Sequence, residues 1–315
     1  MKKLSIFITI IISFIIFVVF FENNKTQNTV PGAMTHLKVV TSFYPLTEFT
    51  EQIGGEHVEV INIVPPGAEP HDFEPTPQDI ATMYSAKLLI FNGGGFDVWA
   101  DKISFELKKR NIAIVNMAEY FDLMKGTFDR EDEETHEEAS KFNPHIWLDP
   151  VLARREVEII RDALKKVDPD NFEAYDQGAE RYIAQLSELD RQYQEGLASC
   201  INRDVVASHS AFGYLAKRYN FNVVAIFGLS TEEEPSPRKI AEIAEFARQK
   251  NIKYIFFETL VSPKFAETIA KEIGAKTSVF NPLEGLTQEE LAAGKNYISI
   301  MKENLLNLRQ ALVCK

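Results

Sequence analysis

From Val151 to Cys200 the chain reads as helix almost without interruption, while on either side short apolar runs alternate with helix-spaced stretches. The helical stretch breaks at Asp168-Pro169-Asp170, and from 171 to 199 it holds no proline and only Gly178 and Gly196. A helix of about 29 residues extends over about 40 Å, too far to be buried against one small lobe. On the N-terminal side LKVVTSFY (37–44), VEVINIV (58–64), KLLIFNG (87–93) and NIAIVNM (111–117) read as strands. Helices fit between them, through Gly54, over 76–86 behind a Thr76-Pro77 start, and over 96–110. On the C-terminal side strands are expected at 203–209, 221–227, 252–259 and 275–282, with helices at 211–219, 236–250, 262–273 and 295–311. Strand–helix alternation predicts parallel βαβ units. The fold class is therefore α/β, two β/α lobes with parallel sheets joined by a long rigid linking helix. The expected division is 1–36 as a signal or membrane anchor plus tether, 37–168 as the first lobe, 169–199 as the linking helix and 200–315 as the second lobe. A stiff link predicts modest lobe motion. The two halves share a pattern but no sequence repeat.

A chain of 315 residues has room for about two domains, and 45% hydrophobic with 25% charged residues is ordinary for a folded soluble protein. The net charge of -12 argues against nucleic-acid backbones as partners. Lys2 and Lys3 precede an apolar run from Leu4 to Phe21, which reads as an export signal at the lower limit for spanning a bilayer. Glu22-Asn23-Asn24 follows, without a small-x-small cleavage site and without a cysteine for a lipid anchor. A retained membrane anchor is favoured over a cleaved signal, and either places the body outside the cytoplasm. In an exported chain two cysteines can pair. Nothing in the sequence brings Cys200 and Cys314 together or keeps them apart, and neither lies in a CxxC.

The six histidines are His36, His57, His71, His136, His145 and His209. Three share a setting. His71 follows a strand in VPPGAEPHDFEP, His145 lies in NPHIWLDP ahead of a helical stretch, and His209 ends the strand VVASH. Ligands in open parallel sheets bind beyond the carboxyl ends of strands, and converging neutral imidazoles make a zinc-type site. No local ligand motif such as HExxH is present, so spacing alone is weak and each histidine singly reads as a hydrogen-bonded loop residue. Stiff, proline-marked surroundings are where a preorganised ligand sits.

VPPGAEPHDFEPTPQD (64–79), NPHIWLDP (143–150), ASHSAFGYLAKRYNF (207–221) and FFETLVSPKFAETIAKEIGAK (256–276) together resemble the signature segments of one family. It is the zinc- and manganese-binding substrate-binding proteins of metal-uptake ABC transporters, and the match runs in order across almost all of 37–311. The resemblance implies a metal cleft between the lobes, with His71 and His145 as ligands from the first lobe and His209 from the second. Many members carry an aspartate near the last strand, where VFNPLEGLT (279–287) has Asn281. The NPLE form resembles the high-affinity zinc-uptake branch of Gram-positive bacteria, which implies Glu284 as the fourth ligand, with Asn281 or water as alternatives. Three imidazoles and one carboxylate suit Zn²⁺, with Mn²⁺ second because manganese sites carry more oxygen. The implied partners are an ABC permease with its cytoplasmic ATPase, and the implied protein is a monomer and not an enzyme.

Other features point less far. The acidic stretch EDEETHEE (131–138) with its single His136 is a solvated loop, with a weak cation trap as the alternative. The glycines of FNGGGFDVWADK lack P-loop and dinucleotide spacing and read as a tight turn. Ser208-His209-Ser210 lacks the elbow and placed acid of a serine hydrolase. The serious enzyme alternative is a zinc hydrolase with Glu284 as general base, and a surface protein with a structural metal is a third reading.

Overall fold

The computed structural model describes residues 36–126, 142–230 and 234–315. The first lobe runs β1 (Leu37–Thr41), α1 (Tyr44–Gly54), β2 (Val58–Asn62), α2 (Pro77–Ser85), β3 (Leu88–Phe91), α3 (Val98–Lys109) and β4 (Ala113–Asn116). Two long helices follow, α4 (Pro150–Val167) and α5 (Phe172–Leu197). The second lobe runs β5 (Asp204–Ala207), α6 (Gly213–Tyr219), β6 (Asn222–Ala225), α7 (Pro237–Gln249), β7 (Tyr254–Phe257), α8 (Lys264–Ile273), β8 (Lys276–Val279), α9 (Gln288–Ala292) and α10 (Tyr297–Ala311). Both sheets are parallel and have the same order, β2-β1-β3-β4 and β6-β5-β7-β8. The expected alternation is thus present in each lobe, with the same winding.

Boundaries moved where local chemistry overrides apolar patterning. The first strand stops at Thr41 instead of 44, because extended Phe43 caps a helix that starts at Tyr44-Pro45. α4 begins at Pro150, one residue before the helical stretch read from Val151, because the Asp149 carboxylate accepts from the Val151 backbone N–H and Pro150 fits the first turn. α2 is capped as its sequence suggests, Thr76 and Asp79 bonding each other's backbone N–H. α9 was not foreseen, although Thr287 and Glu290 form the same reciprocal cap.

Alternation along the strands divides the core. Val40, Leu89 and Phe91 face outward onto Met83, Trp99 and Leu107, and Val206 and Ile255 face outward onto Ile243, Ala247 and Ile269. The intervening residues, Val39, Leu88 and Ile90 in one sheet and Val205, Ala207 and Phe256 in the other, all belong to one central cluster. That cluster also takes the buried face of α5, namely Tyr175, Ala179, Tyr182, Leu186, Leu189, Tyr193 and Leu197, spaced by three or four residues. α5 packs against α4 and α1 on one side and α10 on the other. Gly178 marks the closest approach, since a Cβ there would lie 2.2 Å from the Ile53 carbonyl oxygen. The two lobes therefore share one continuous core along the linking helix, and domain closure would have to break it. The pairing left open by the sequence is a disulfide, Cys200–Cys314, fastening the segment after α5 to the chain beyond α10.

Candidate metal centre

All four site residues lie beyond carboxyl ends of strands. His71 follows β2, His145 lies between β4 and α4, His209 follows β5, and Glu284 follows β8. The structure brings the four together, with one donor atom from each lying within 4.8 Å of the others. Glu284 Oε1 lies 3.1 Å from His145 Nε2, 3.1 Å from His209 Nε2 and 3.5 Å from His71 Nε2. The Nε2 atoms of His145 and His209 are 3.2 Å apart. His145 and His209 are fully buried and Glu284 is nearly so.

The outer ring nitrogens decide what the inner ones offer. His145 Nδ1 lies 2.8 Å from the Asn143 side-chain oxygen, and His209 Nδ1 lies 2.7 Å from Glu258 Oε1. Both partners accept, so each Nδ1 carries a proton, and in each ring Nε2 is the atom turned inward toward Glu284. His71 Nε2 is buried without a hydrogen-bond partner. Lone pairs and a carboxylate facing one another in a dry pocket repel unless a cation lies between them.

Titration follows the same geometry. Burial pushes His145 down to about 3, so this ring stays neutral. Burial also disfavours charge on His209, but the carboxylates of Glu258 and Glu284 outweigh it and hold the ring well above the usual histidine range. Burial would raise Glu284, yet the charge of His209 and the hydrogen bond from its Nε2 hold it well below the carboxylate range. Glu69 is pushed up to about 8 by burial and by the charge of Glu284.

The segment carrying His145 is held from both lobes. Asn92 Nδ2 donates to the Pro144 carbonyl, and Asp97 fixes that turn by accepting from the backbone N–H groups of Asn92 and Gly93, both at 2.7 Å. From the second lobe the Tyr214 hydroxyl donates to the Asn143 carbonyl, the Tyr297 hydroxyl donates to the Trp147 carbonyl, and Arg218 pairs with Asp149. Trp147 in turn donates to the Pro282 carbonyl at 2.7 Å, and its ring packs on Phe43, Phe96 and His145. The glycine turn before Asp97 was foreseen as tight, and Gly93, Gly94 and Gly95 all have positive φ.

Asn281 serves the loop and not the group of four. Its side-chain oxygen accepts from the Leu283 N–H at 2.7 Å, and its amide donates to Thr259 and Glu290. This holds Leu283 at φ 59°, a left-handed conformation that a leucine adopts at a cost of about 1–3 kcal/mol, and turns Glu284 inward. Asn143 and Glu258 were not among the expected site residues. Asn143 precedes the Pro144-His145 pair that was singled out. Glu258 ends the apolar run IKYIFFET, and finding it required the strand order. His136 and the acidic stretch lie outside the described residues, as does the N-terminal apolar run. No helix among the described residues is long and apolar enough to cross a membrane.

Known proteins resemble this chain over most of its length. The family model described as ZnuA, "Zinc-uptake complex component A periplasmic", matches residues 39–311. The high-affinity zinc uptake system protein ZnuA of Bacillus subtilis (strain 168) is 40% identical over 301 residues, covering 93% of each chain. The zinc-binding lipoprotein AdcA of Streptococcus pneumoniae is 37% identical over 98% of this chain, which spans 61% of that protein's length. Among solved structures, the Zn(II)-bound ZnuA-like domain of S. pneumoniae AdcA superposes with a TM-score of 0.75 at 38% identity, over 88% of this chain and 99% of that one. The likeness covers nearly the whole described chain, and the protein belongs to the ZnuA family of zinc-uptake components.

Proposed function

We propose that this protein is an extracytoplasmic receptor that captures Zn²⁺ through His71, His145, His209 and Glu284 and delivers it to an ABC-type importer. The observation that carries the reading is the convergence of inward-facing, otherwise unpartnered donors from both lobes. A tetrahedral zinc with bonds of about 2.0–2.1 Å has ligand atoms about 3.3 Å apart. Four of the six separations among these donors, 3.1, 3.1, 3.2 and 3.5 Å, lie near such edges, and all six are within 4.8 Å. Three imidazoles favour zinc over manganese, which remains the second cargo to test.

No covalent chemistry is required. Glu284 Oε1 stands as close to the His145 and His209 nitrogens as these stand to each other, which supports a ligand role over that of a base acting on a metal-bound water. On this reading residues 37–168 and 200–315 are the lobes, 169–199 is their rigid connector, and the protein acts as a monomer held at the outer face of the membrane by its N-terminal segment. Its partners are the permease and the cytoplasmic ATPase that drives it. The test is a zinc titration of the chelated protein, wild type beside His209→Ala. One tight exchangeable zinc that the substitution abolishes, with the fold intact, supports the reading. Unchanged affinity in the variant removes it.

A further inference from the structure

Four ligands of this kind bring one formal negative charge, that of Glu284, to a doubly charged ion. Three of them are shut off from water, His145, His209 and Glu284 being 0%, 0% and 2% exposed, and His71 is partly buried. A net positive charge left in such a place is costly. The two buried histidines are backed unequally. His145 gives its backbone N–H, at 3.0 Å, and its ring Nδ1, at 2.8 Å, to the oxygen of a neutral amide, Asn143, whereas His209 gives its backbone N–H, at 3.1 Å, and its ring Nδ1, at 2.7 Å, to one carboxylate oxygen of Glu258. Glu258 is itself 3% exposed and is not among the four converging donors. Glu69, the other nearby carboxylate, bonds only the His71 backbone N–H, at 3.4 Å.

The sheet explains the pairing. β5 and β7 are parallel neighbours with Val206 opposite Ile255. Three residues further along each strand are His209 and Glu258, so equal rise delivers both to the same height at the mouth of the cleft. A carboxylate behind a metal-binding imidazole fixes the ring's tautomer and raises its basicity.

We propose that Glu258 is a positioning residue that holds His209 with Nε2 toward the ion and supplies the second negative charge, making the zinc-loaded centre neutral. This rests on the reading of His209 as a zinc ligand. Glu258→Gln separates the two contributions, because the amide oxygen still accepts from Nδ1 while the charge is gone. Zinc affinity of Glu258→Gln is expected to fall about 10–100-fold, with the Co²⁺-loaded variant keeping the visible spectrum of a four-coordinate site. Unloaded melting curves of both proteins show that the fold is common to them. Wild-type zinc affinity in Glu258→Gln overturns the charge assignment, and a Co²⁺ spectrum of another coordination number shows that the residue acts through geometry alone. Failure of the wild type itself to bind zinc removes the receptor reading instead, so the two failures are distinct. Should the variant not fold, the zinc-loaded wild type answers by NMR. The proposal requires a strongly downfield Nδ1–H from His209, and its absence overturns it.

Discussion

The two ligand-bearing segments of the first lobe are built differently. Residues 143–149 are buried throughout and bonded to both lobes, through Asn92, Tyr214, Tyr297, Arg218 and the Pro282 carbonyl. The loop carrying His71 is largely exposed, with Pro65, Pro66, Gly67, Asp72 and Glu74 at the surface. It touches the second lobe's backbone through Gly67 N–H and the Leu286 carbonyl, at 2.9 Å. The His71 ring packs on Phe96, and its Nε2 is the donor farthest from Glu284 Oε1. On the proposed ligand set, His145 thus comes from a braced segment, beside the buried His209 and Glu284, and His71 from a less constrained loop. A receptor that must release its cargo gains from this division. On the proposed reading, the buried donors hold the ion and the exposed loop offers a route in and out that leaves the shared core undisturbed.

The comparison can be broken first at the buried donors. His209→Ala removes a ligand and strands Glu258, and should cost more than the about 10–100-fold that outer partners carry, as read by competition with a zinc chelator. Trp147→Ala should lower stability by about 3–5 kcal/mol and weaken zinc within that same range of about 10–100-fold, because the clamp on residues 143–149 is lost. His71→Ala should leave the melting temperature of the unloaded protein near wild type and speed zinc release, with a smaller affinity loss than His209→Ala. Equal losses in the two histidine variants would erase the distinction between the buried donors and the loop.

Protons test it more gently. With its pKa held well above the histidine range, His209 binds a proton in the metal-free pocket at neutral pH, and zinc must displace it. Affinity should therefore rise with pH, about tenfold per unit around neutrality. His145 adds nothing to that slope because it is already neutral far below pH 7. A flat profile measured by competition at several pH values would contradict the assignment. The smallest effect on zinc is expected from Cys200→Ser with Cys314→Ser. The pair closes a long loop, so stability should drop by about 2–4 kcal/mol while affinity stays unchanged.

Much of this was legible in the chain. The eight strands and the helical centre follow from apolar periodicity and length, and α5 buries one face at helical spacing as such a sequence should. His71, His145 and His209 stood out because each ends a strand or sits by proline, where backbone is fixed. Glu284 was reachable only through the resemblance of NPLE, since nothing local separates it from a surface acid. What the sequence withheld depends on strand order and long-range contact. Glu258 matters because β7 lies beside β5, and Cys200 meets Cys314 because α10 packs on α5. Asn281 reads as a ligand candidate by position, and only the bonds to Leu283, Thr259 and Glu290 show it bracing the loop instead.

The most direct measurement is a zinc titration with metal analysis of residues 31–315 after chelation, wild type beside Glu284→Ala. The account predicts one tightly bound, exchangeable zinc per chain, greatly weakened by the substitution. A wild type without specific zinc binding, or a variant that binds as tightly as wild type, would contradict the four-ligand centre at the heart of the account.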